Sequence, residues 1–229
     1  MLPEPLLLLW QWAPALLQGF GLNILMGVTA MLVATLAGVL LGSLQVSAQP
    51  NLRRSAGYLS RLLRNLPWLV VMFYVAYLLP YEVHWAGRWW QLPDWLKVAL
   101  GLALPAIGYV SEIVRGAVRA VPRGQWQAAH ALGLSHGQAL RYVIIPQTLP
   151  SLVAPWVNLY CAVTMSTSLA NLLGVEELMT TVQSHLSTQL RSDLLLPAYG
   201  LVFIAFFLYI YPSPAWPNGW SAHEHPTHA

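Results

Sequence analysis

The sequence predicts an all-α integral membrane protein with about five transmembrane helices and a cytoplasmic helix between the third and fourth. Two observations predict it. Of 229 residues, 57% are hydrophobic and 8% charged, against roughly 25% charged in soluble domains. The mean hydropathy of +0.54 is unevenly spread, so that apolar blocks of membrane-spanning length alternate with short polar or aromatic stretches. High hydrophobicity and few charges exclude a disordered chain. The pI is near 9.2, but the 11 Lys and Arg are too few for a broad nucleic-acid-binding face. The single cysteine, Cys161, excludes a disulfide framework and any CxxC metal site; in a span it reads as a small apolar packer.

Five blocks define the spans. The first covers 15–46, longer than the ~20 residues that one crossing needs, so 12–20 are expected to lie flat at the interface. No Lys or Arg precedes it, which argues against a cleavable signal peptide. The second covers 67–79. An aromatic loop follows, with Trp85, Trp89, Trp90 and Trp95 suited to the membrane–water boundary. The third starts at 96 and fades at 113, the fourth covers 152–173 and the fifth 194–211. Residues 1–211 read as one membrane domain, and 212–229 as an irregular tail rich in Pro and His. Its His223, His225 and His228 resemble a metal-binding tract, but a disordered tail accounts for them, and no metal site is assigned.

Charge sets the orientation. Eight of the 11 basic residues fall in two loops: Arg53, Arg54, Arg61 and Arg64, then Arg115, Arg119, Arg123 and Arg141. Both loops are expected in the cytoplasm. That places the N-terminus outside and the C-terminus inside.

The stretch 119–146 is polar yet ordered in its spacing. Pro122 and Gly124 punctuate its entrance, and Gly133 and Gly137 its middle. Two short helices are expected, 125–132 and 135–144, with Ser135 as N-cap of the second. An amphipathic loop resting on the membrane would also fit. The run Gln127-Ala128-Ala129, three residues, Gly133, nine residues, Val143-x-Ile145-Pro146 resembles the coupling loop of ABC importer permeases. That family's pattern is Glu-Ala-Ala, three residues, Gly, nine residues, Ile-x-Leu-Pro. The spacing matches fully, with Gln127, Val143 and Ile145 as substitutions. Arg64-Asn65-Leu66-Pro67, Glu112-Ile113-Val114-Arg115-Gly116, Val121-Pro122-Arg123-Gly124-Gln125, Pro146-Gln147, Thr167-Ser168-Leu169 and Glu177-Leu178 extend the resemblance towards the polar amino acid subfamily. Departures stand at Met165, Ser166 and Pro150, and the basic residues usual at the end of such chains are missing.

The resemblance implies a bacterial inner-membrane subunit that forms a translocation path for a polar amino acid with a second permease, like or unlike itself. It implies two cytoplasmic ATPase subunits, which hold ATP and magnesium, and an extracytoplasmic amino-acid-binding protein. The chain has no Gly-x-x-x-x-Gly-Lys-Ser/Thr loop to cradle phosphates, so it is expected to bind no cofactor and to catalyse nothing itself. Its partners are these subunits and membrane lipid, not nucleic acid. The residues expected to couple to the ATPase are Trp126, Gln127, Ala128, Ala129, Leu132, Gly133, Arg123, Arg141 and Pro146. Small Ala128 and Ala129 allow close approach, Trp126 and Leu132 offer apolar anchors, and Gly133 supplies the turn. The arginines either meet acidic groups on the partner or only reflect the positive-inside bias.

In the fourth span, Cys161, Thr164, Thr167, Ser168 and Asn171 fall within an arc of about 120° at 100° per residue. Thr164, Thr167, Ser168 and Asn171 are candidates for the substrate path, with helix–helix packing as the alternative. Glu112 and Arg115, ionisable near the inner end of the third span, are expected to pair in a structural or gating role. Two other classes remain. Gly133-Leu134-Ser135-His136-Gly137 matches the nucleophile elbow of hydrolases but lacks its preceding strand, and a channel would need no ATPase.

Overall fold

In the computed structural model, which describes residues 4–85 and 87–211, α-helices dominate. Helix α1 runs over Glu4–Gln45, α2 over Pro50–Arg64, α3 over Trp68–Leu78 and α4 over Asp94–Ala120. Strands β1 (Glu82–Trp85) and β2 (Arg88–Gln91) form an antiparallel hairpin between α3 and α4, with Val83 opposite Trp90. Helices α5 (Arg123–Ala131) and α6 (His136–Ala139) follow; a π-helical turn, Leu140–Ile144, leads into α7, Ile145–Ser166. A 3-10 segment, Thr167–Leu173, continues α7 before α8 (Leu178–Gln189) and α9 (Leu195–Ile210).

Four continuous helical runs are long and apolar enough to cross a membrane: Leu8–Gln45, Asp94–Ala120, His136–Leu173 and Ser192–Ile210. The expected second span is an 11-residue helix, Trp68–Leu78. At 1.5 Å per residue it is about 16 Å long, short of a ~30 Å hydrocarbon core. Pro67 and Pro80 bracket it. It stacks end to end with α2 along α4, where Ser60 meets Gly108 and Met72 meets Gly101. The first block corrects differently. Residues 12–20 do not lie flat: they belong to the unbroken α1, and the Trp12 ring stacks on His185 of α8 at 4.9 Å. That burial outweighs the interfacial preference of an isolated tryptophan. The tail 212–229, with its three histidines, lies outside the described residues.

Helix α4 is the axle of the fold, because its middle, residues 98–108, is small and apolar. Val98, Ala99, Leu102, Ala103, Ala106 and Val110 are all buried against Met26, Met31, Met72 and Val163. On α1 the buried residues recur every three or four positions, the spacing of one helix face, while the exposed face is apolar too, as a helix facing lipid requires. Gly38 and Gly42 bring α1 onto α4, since a Cβ on either would stand 2.6 Å and 2.7 Å from the Cβ atoms of Val110 and Val114. Such a small-xxx-small contact suits helices packed in lipid. A second core joins Leu9, Trp12 and Leu16 of α1 to Val182 and Leu186 of α8 and Ala198 of α9.

Candidate functional site

Three clusters of polar side chains stand out, and the expected site residues are divided among them. The first is the loop between α4 and α7. Helix α5 ends where Gly133 adopts φ +78°. Its N–H donates to His130 O at 2.9 Å and the Leu134 N–H to Ala129 O at 3.2 Å. This paired arrangement is a Schellman stop, which favours glycine at that place. Two residues on, Ser135 opens α6 with a capping box: its hydroxyl accepts the Gln138 N–H, and the Gln138 side chain accepts the Ser135 N–H. The two short helices and both of their signals are therefore where the spacing put them. The end of the second differs, for it does not stop before the span. The π turn carries it directly into α7, and Pro146, which has no N–H to donate, follows the π turn immediately, where the regular i to i−4 ladder is already interrupted.

Within this loop the expected coupling residues face different ways. Gln127, Ala128, Gly133, Arg123, Arg141 and Pro146 are exposed, and Leu132 is 81% exposed. Ala129 turns inward and is buried. Trp126 is only partly exposed, stacking on His136 at 5.0 Å. His136 also donates from Nε2 to Val46 O at 3.2 Å, which ties the loop to the end of α1. The sequence reading passed over His136, and no local pattern marks a contact 90 residues away. Ser135 serves as a helix cap, without the strand that a nucleophile elbow needs.

The second cluster lies where α7 gives way to the 3-10 segment. Carried across the change from about 100° to about 120° per residue at Thr167, the arc stays about 120° wide, but its members meet different partners. Thr164 and Thr167 are buried against α1, Ser168 is half-buried, and Asn171 turns to α8. Thr167 Oγ1 donates to Thr164 O and accepts from Asn23 Nδ2 at 3.0 Å. Asn23 also donates to Glu177 Oε2 at 3.0 Å and accepts the Leu178 N–H at 3.1 Å. Glu177 is fully buried and caps α8, accepting the backbone N–H groups of Met179 and Thr180. Asn171 Nδ2 donates to Thr180 Oγ1 and Gln183 Oε1. Among the described residues Thr164 Oγ1 is buried with no hydrogen-bond partner. Asn23 and Glu177 were missed as members of this network; an isolated Asn inside an apolar block was the available signal.

The third cluster sits at the other end of α4. Glu112 and Arg115 pair as expected, with Arg115 Nε 3.0 Å from Glu112 Oε2. Arg64 stands 3.9 Å from the same oxygen. The Ser60 hydroxyl lies 3.1 Å from Glu112 Oε1 and 2.7 Å from Ser111 Oγ, and Gln45 donates to Ser111. Glu112 fastens α2 to α4 through Ser60 and Arg64, and Ser111 adds α1 through Gln45.

Comparison with known proteins joins these clusters to one family. Residues 34–212 match the family described as the inner membrane component of binding-protein-dependent transport systems. The chain is 30% identical over 166 residues to the "Probable amino-acid ABC transporter permease protein YckA" of Bacillus subtilis, covering 72% of this chain and 71% of that one. It is 27% identical to the arginine ABC transporter permease protein ArtM of Haemophilus influenzae, covering 74% and 75% of the two. Its fold is similar to that of a chain in a crystal structure of an amino acid ABC transporter with histidines. The TM-score there is 0.79 at 20% identity, covering 96% of this chain and 98% of the other. With the matching region spanning the axle helix, the capped loop and the buried Asn23 partners Thr167 and Glu177, the chain belongs to the family of binding-protein-dependent transport system inner membrane components.

Proposed function

We propose that this chain is the permease subunit of an ATP-driven amino acid importer of a bacterial inner membrane. Its amino acid substrate is read from the relatives, which are amino acid permeases by name. The observation that most supports coupling is the α5–α6 reversal. A Schellman stop and a capping box stand back to back, presenting Leu132 and Ala128 at an exposed tip. Such a tip suits insertion into a groove on a partner. In this reading the partner is a cytoplasmic ATPase, which holds the ATP and magnesium. Two such subunits serve a pair of permeases, and an extracytoplasmic binding protein delivers the amino acid. The arginine-rich ends of α2 and α4 and the capped loop lie in the cytoplasm, and the hairpin and the 176–193 segment lie outside.

The path for the substrate runs past the second cluster. Ser168 is half-buried with its hydroxyl bonded only within its own turn, to Met165 O. It is therefore free to exchange that bond for one to a ligand, whereas Thr167 holds the fold. The test is to purify the assembled complex and measure its ATPase activity with each amino acid and the binding protein. Stimulation by one class of amino acid, lost when this chain is omitted, is the expected result. A complex that hydrolyses ATP at an unchanged rate with every amino acid would refute the reading.

A further inference from the structure

A cleft of about 420 Å³ opens between the ends of α1, α2 and α4. Six arginines line it: Arg53, Arg54, Arg61 and Arg64 of α2, and Arg115 and Arg119 of α4. Its only carboxylate is Glu112, which engages Arg64 and Arg115. Six positive charges thus face one negative charge. Neutral Gln45 and Gly57 complete the wall.

The positive-inside bias explains why arginines occur at this end of the helices, but it places no demand on which way they face. Their arrangement is specific. On α2, at 100° per residue, Arg53, Arg54, Arg61, Arg64 and Gly57 occupy one arc of about 100°. Buried Ala56 and Ser60 form the neighbouring stripe against α4. Exposed Leu52, Tyr58, Leu59 and Leu62 form the remaining face. The helix is therefore sorted into three sectors, and the basic sector faces the α4 arginines across an open cleft in which Arg53, Arg54, Arg61 and Arg119 stay solvent-accessible and so within reach of an anion. Like charges brought together in this way repel one another. A counter-anion that bridges them removes the repulsion.

All six cations are arginine. The guanidinium fork matches the oxygens of a phosphate in pairs, and it is the side chain of choice for that group. Basic clefts between membrane helices at this boundary suit lipid head groups.

We propose that this cleft is a binding site for a phosphate-bearing anion, either the head group of an anionic phospholipid or a soluble phosphate ester. The anion bridges α2 to α4 through Arg53, Arg54, Arg61 and Arg119, while Glu112 holds Arg64 and Arg115 in position. Occupancy fastens the α2 end to the axle helix. The proposal rests on the transport reading for the partner subunits in the sample, but binding is read without uptake or ATP hydrolysis, so the failure of one is distinguishable from the failure of the other.

The experiment uses the full-length chain, assembled with its partner subunits, stripped of lipid in detergent. Phosphatidylglycerol and phosphatidylcholine are titrated separately and retention is read by native mass spectrometry. Inorganic pyrophosphate is the soluble probe and an oligo-glutamate peptide the carboxylate probe, both followed by the thermal melt. The variants are Arg54→Gln/Arg61→Gln in the cleft and Arg88→Gln/Arg191→Gln elsewhere, matched in charge. Wild type should retain phosphatidylglycerol over phosphatidylcholine. At about 1 kcal/mol per arginine, the cleft variant should bind about 30-fold more weakly and the matched variant unchanged. Pyrophosphate that competes with phosphatidylglycerol identifies a site open to soluble esters; pyrophosphate without effect identifies the lipid head group as the occupant. Equal losses in both variants, no preference for phosphatidylglycerol with no response to pyrophosphate, or tighter binding of the oligo-glutamate peptide would each overturn the proposal.

Discussion

Replacing Gly133 isolates the reversal between α5 and α6 from everything around it. The residue has φ +78°, and a Cβ built there meets nothing within 4 Å. A side chain therefore costs no steric repacking. The only cost is the left-handed backbone, about 1–2 kcal/mol for an ordinary L-residue. For Gly133→Ala this lowers the population of the native turn by about 5- to 30-fold relative to alternatives. If the turn is the docking-competent state, the apparent Kd for the ATPase rises by up to the same factor. Gly133→Asn should fall between glycine and alanine, because asparagine accepts this conformation more readily. The assay is titration of purified ATPase onto the permease in detergent, with uptake measured in proteoliposomes. Membrane levels should stay at wild type, since α5 and α6 pack outside both cores. An alanine variant that binds ATPase and imports substrate as wild type does would refute the assignment of this loop to coupling.

Three further outcomes are expected. Asn23→Ala leaves Thr167 Oγ1, Glu177 Oε2 and the Leu178 N–H short of a buried partner; a loss of about 3 kcal/mol should appear as a lower melting temperature in detergent. Thr167→Val should lower the melting temperature as well, by breaking the same network, whereas Ser168→Ala should leave melting unchanged and alter the relative uptake of competing amino acids. If Ser168→Ala leaves that uptake unchanged, helix packing accounts for the hydroxyl. In a Cys161→Ala background, Glu82→Cys and Glu176→Cys should react with an impermeant thiol reagent on intact cells and Arg141→Cys should not; labelling of the last would reverse the orientation.

Local signals in the sequence were read well, and distant ones were not. The Gly133 stop and the Ser135 cap are encoded within a few residues, so spacing alone located both. Glu112 and Arg115 were legible for the same reason, being one helical turn apart. Hydropathy found the long helices, because lipid imposes length and composition directly. It located the second apolar block but not its geometry: Trp68–Leu78 alone is short for a crossing, and α2 stacked on it continues the return along α4. The polar arc at the end of the fourth span is legible from helical periodicity, but its partners are not: Thr167 meets Asn23, and Asn171 meets α8. Asn23, His136 and Glu177 were out of reach because their partners lie 90 to 155 residues away in sequence.

The unbroken passage from α6 through the π turn into α7 has a mechanical consequence. From His136 to Leu173 there is no loop in which a displacement could be absorbed. At 1.5 Å per residue this rod is about 57 Å long. One end abuts the capped tip, and the other ends in the 3-10 segment that grips Asn23 and faces α8. A push at the tip is thus delivered as a tilt or twist of the whole rod, with the π turn and the Pro150 and Pro155 turns as its compliant joints. The far end is also where the backbone is wound most tightly, and a small rotation there reorients Ser168 relative to Thr167. Under the proposed coupling, load applied at the tip becomes a change of side-chain register at Ser168, with a single stretch of helix as both lever and latch.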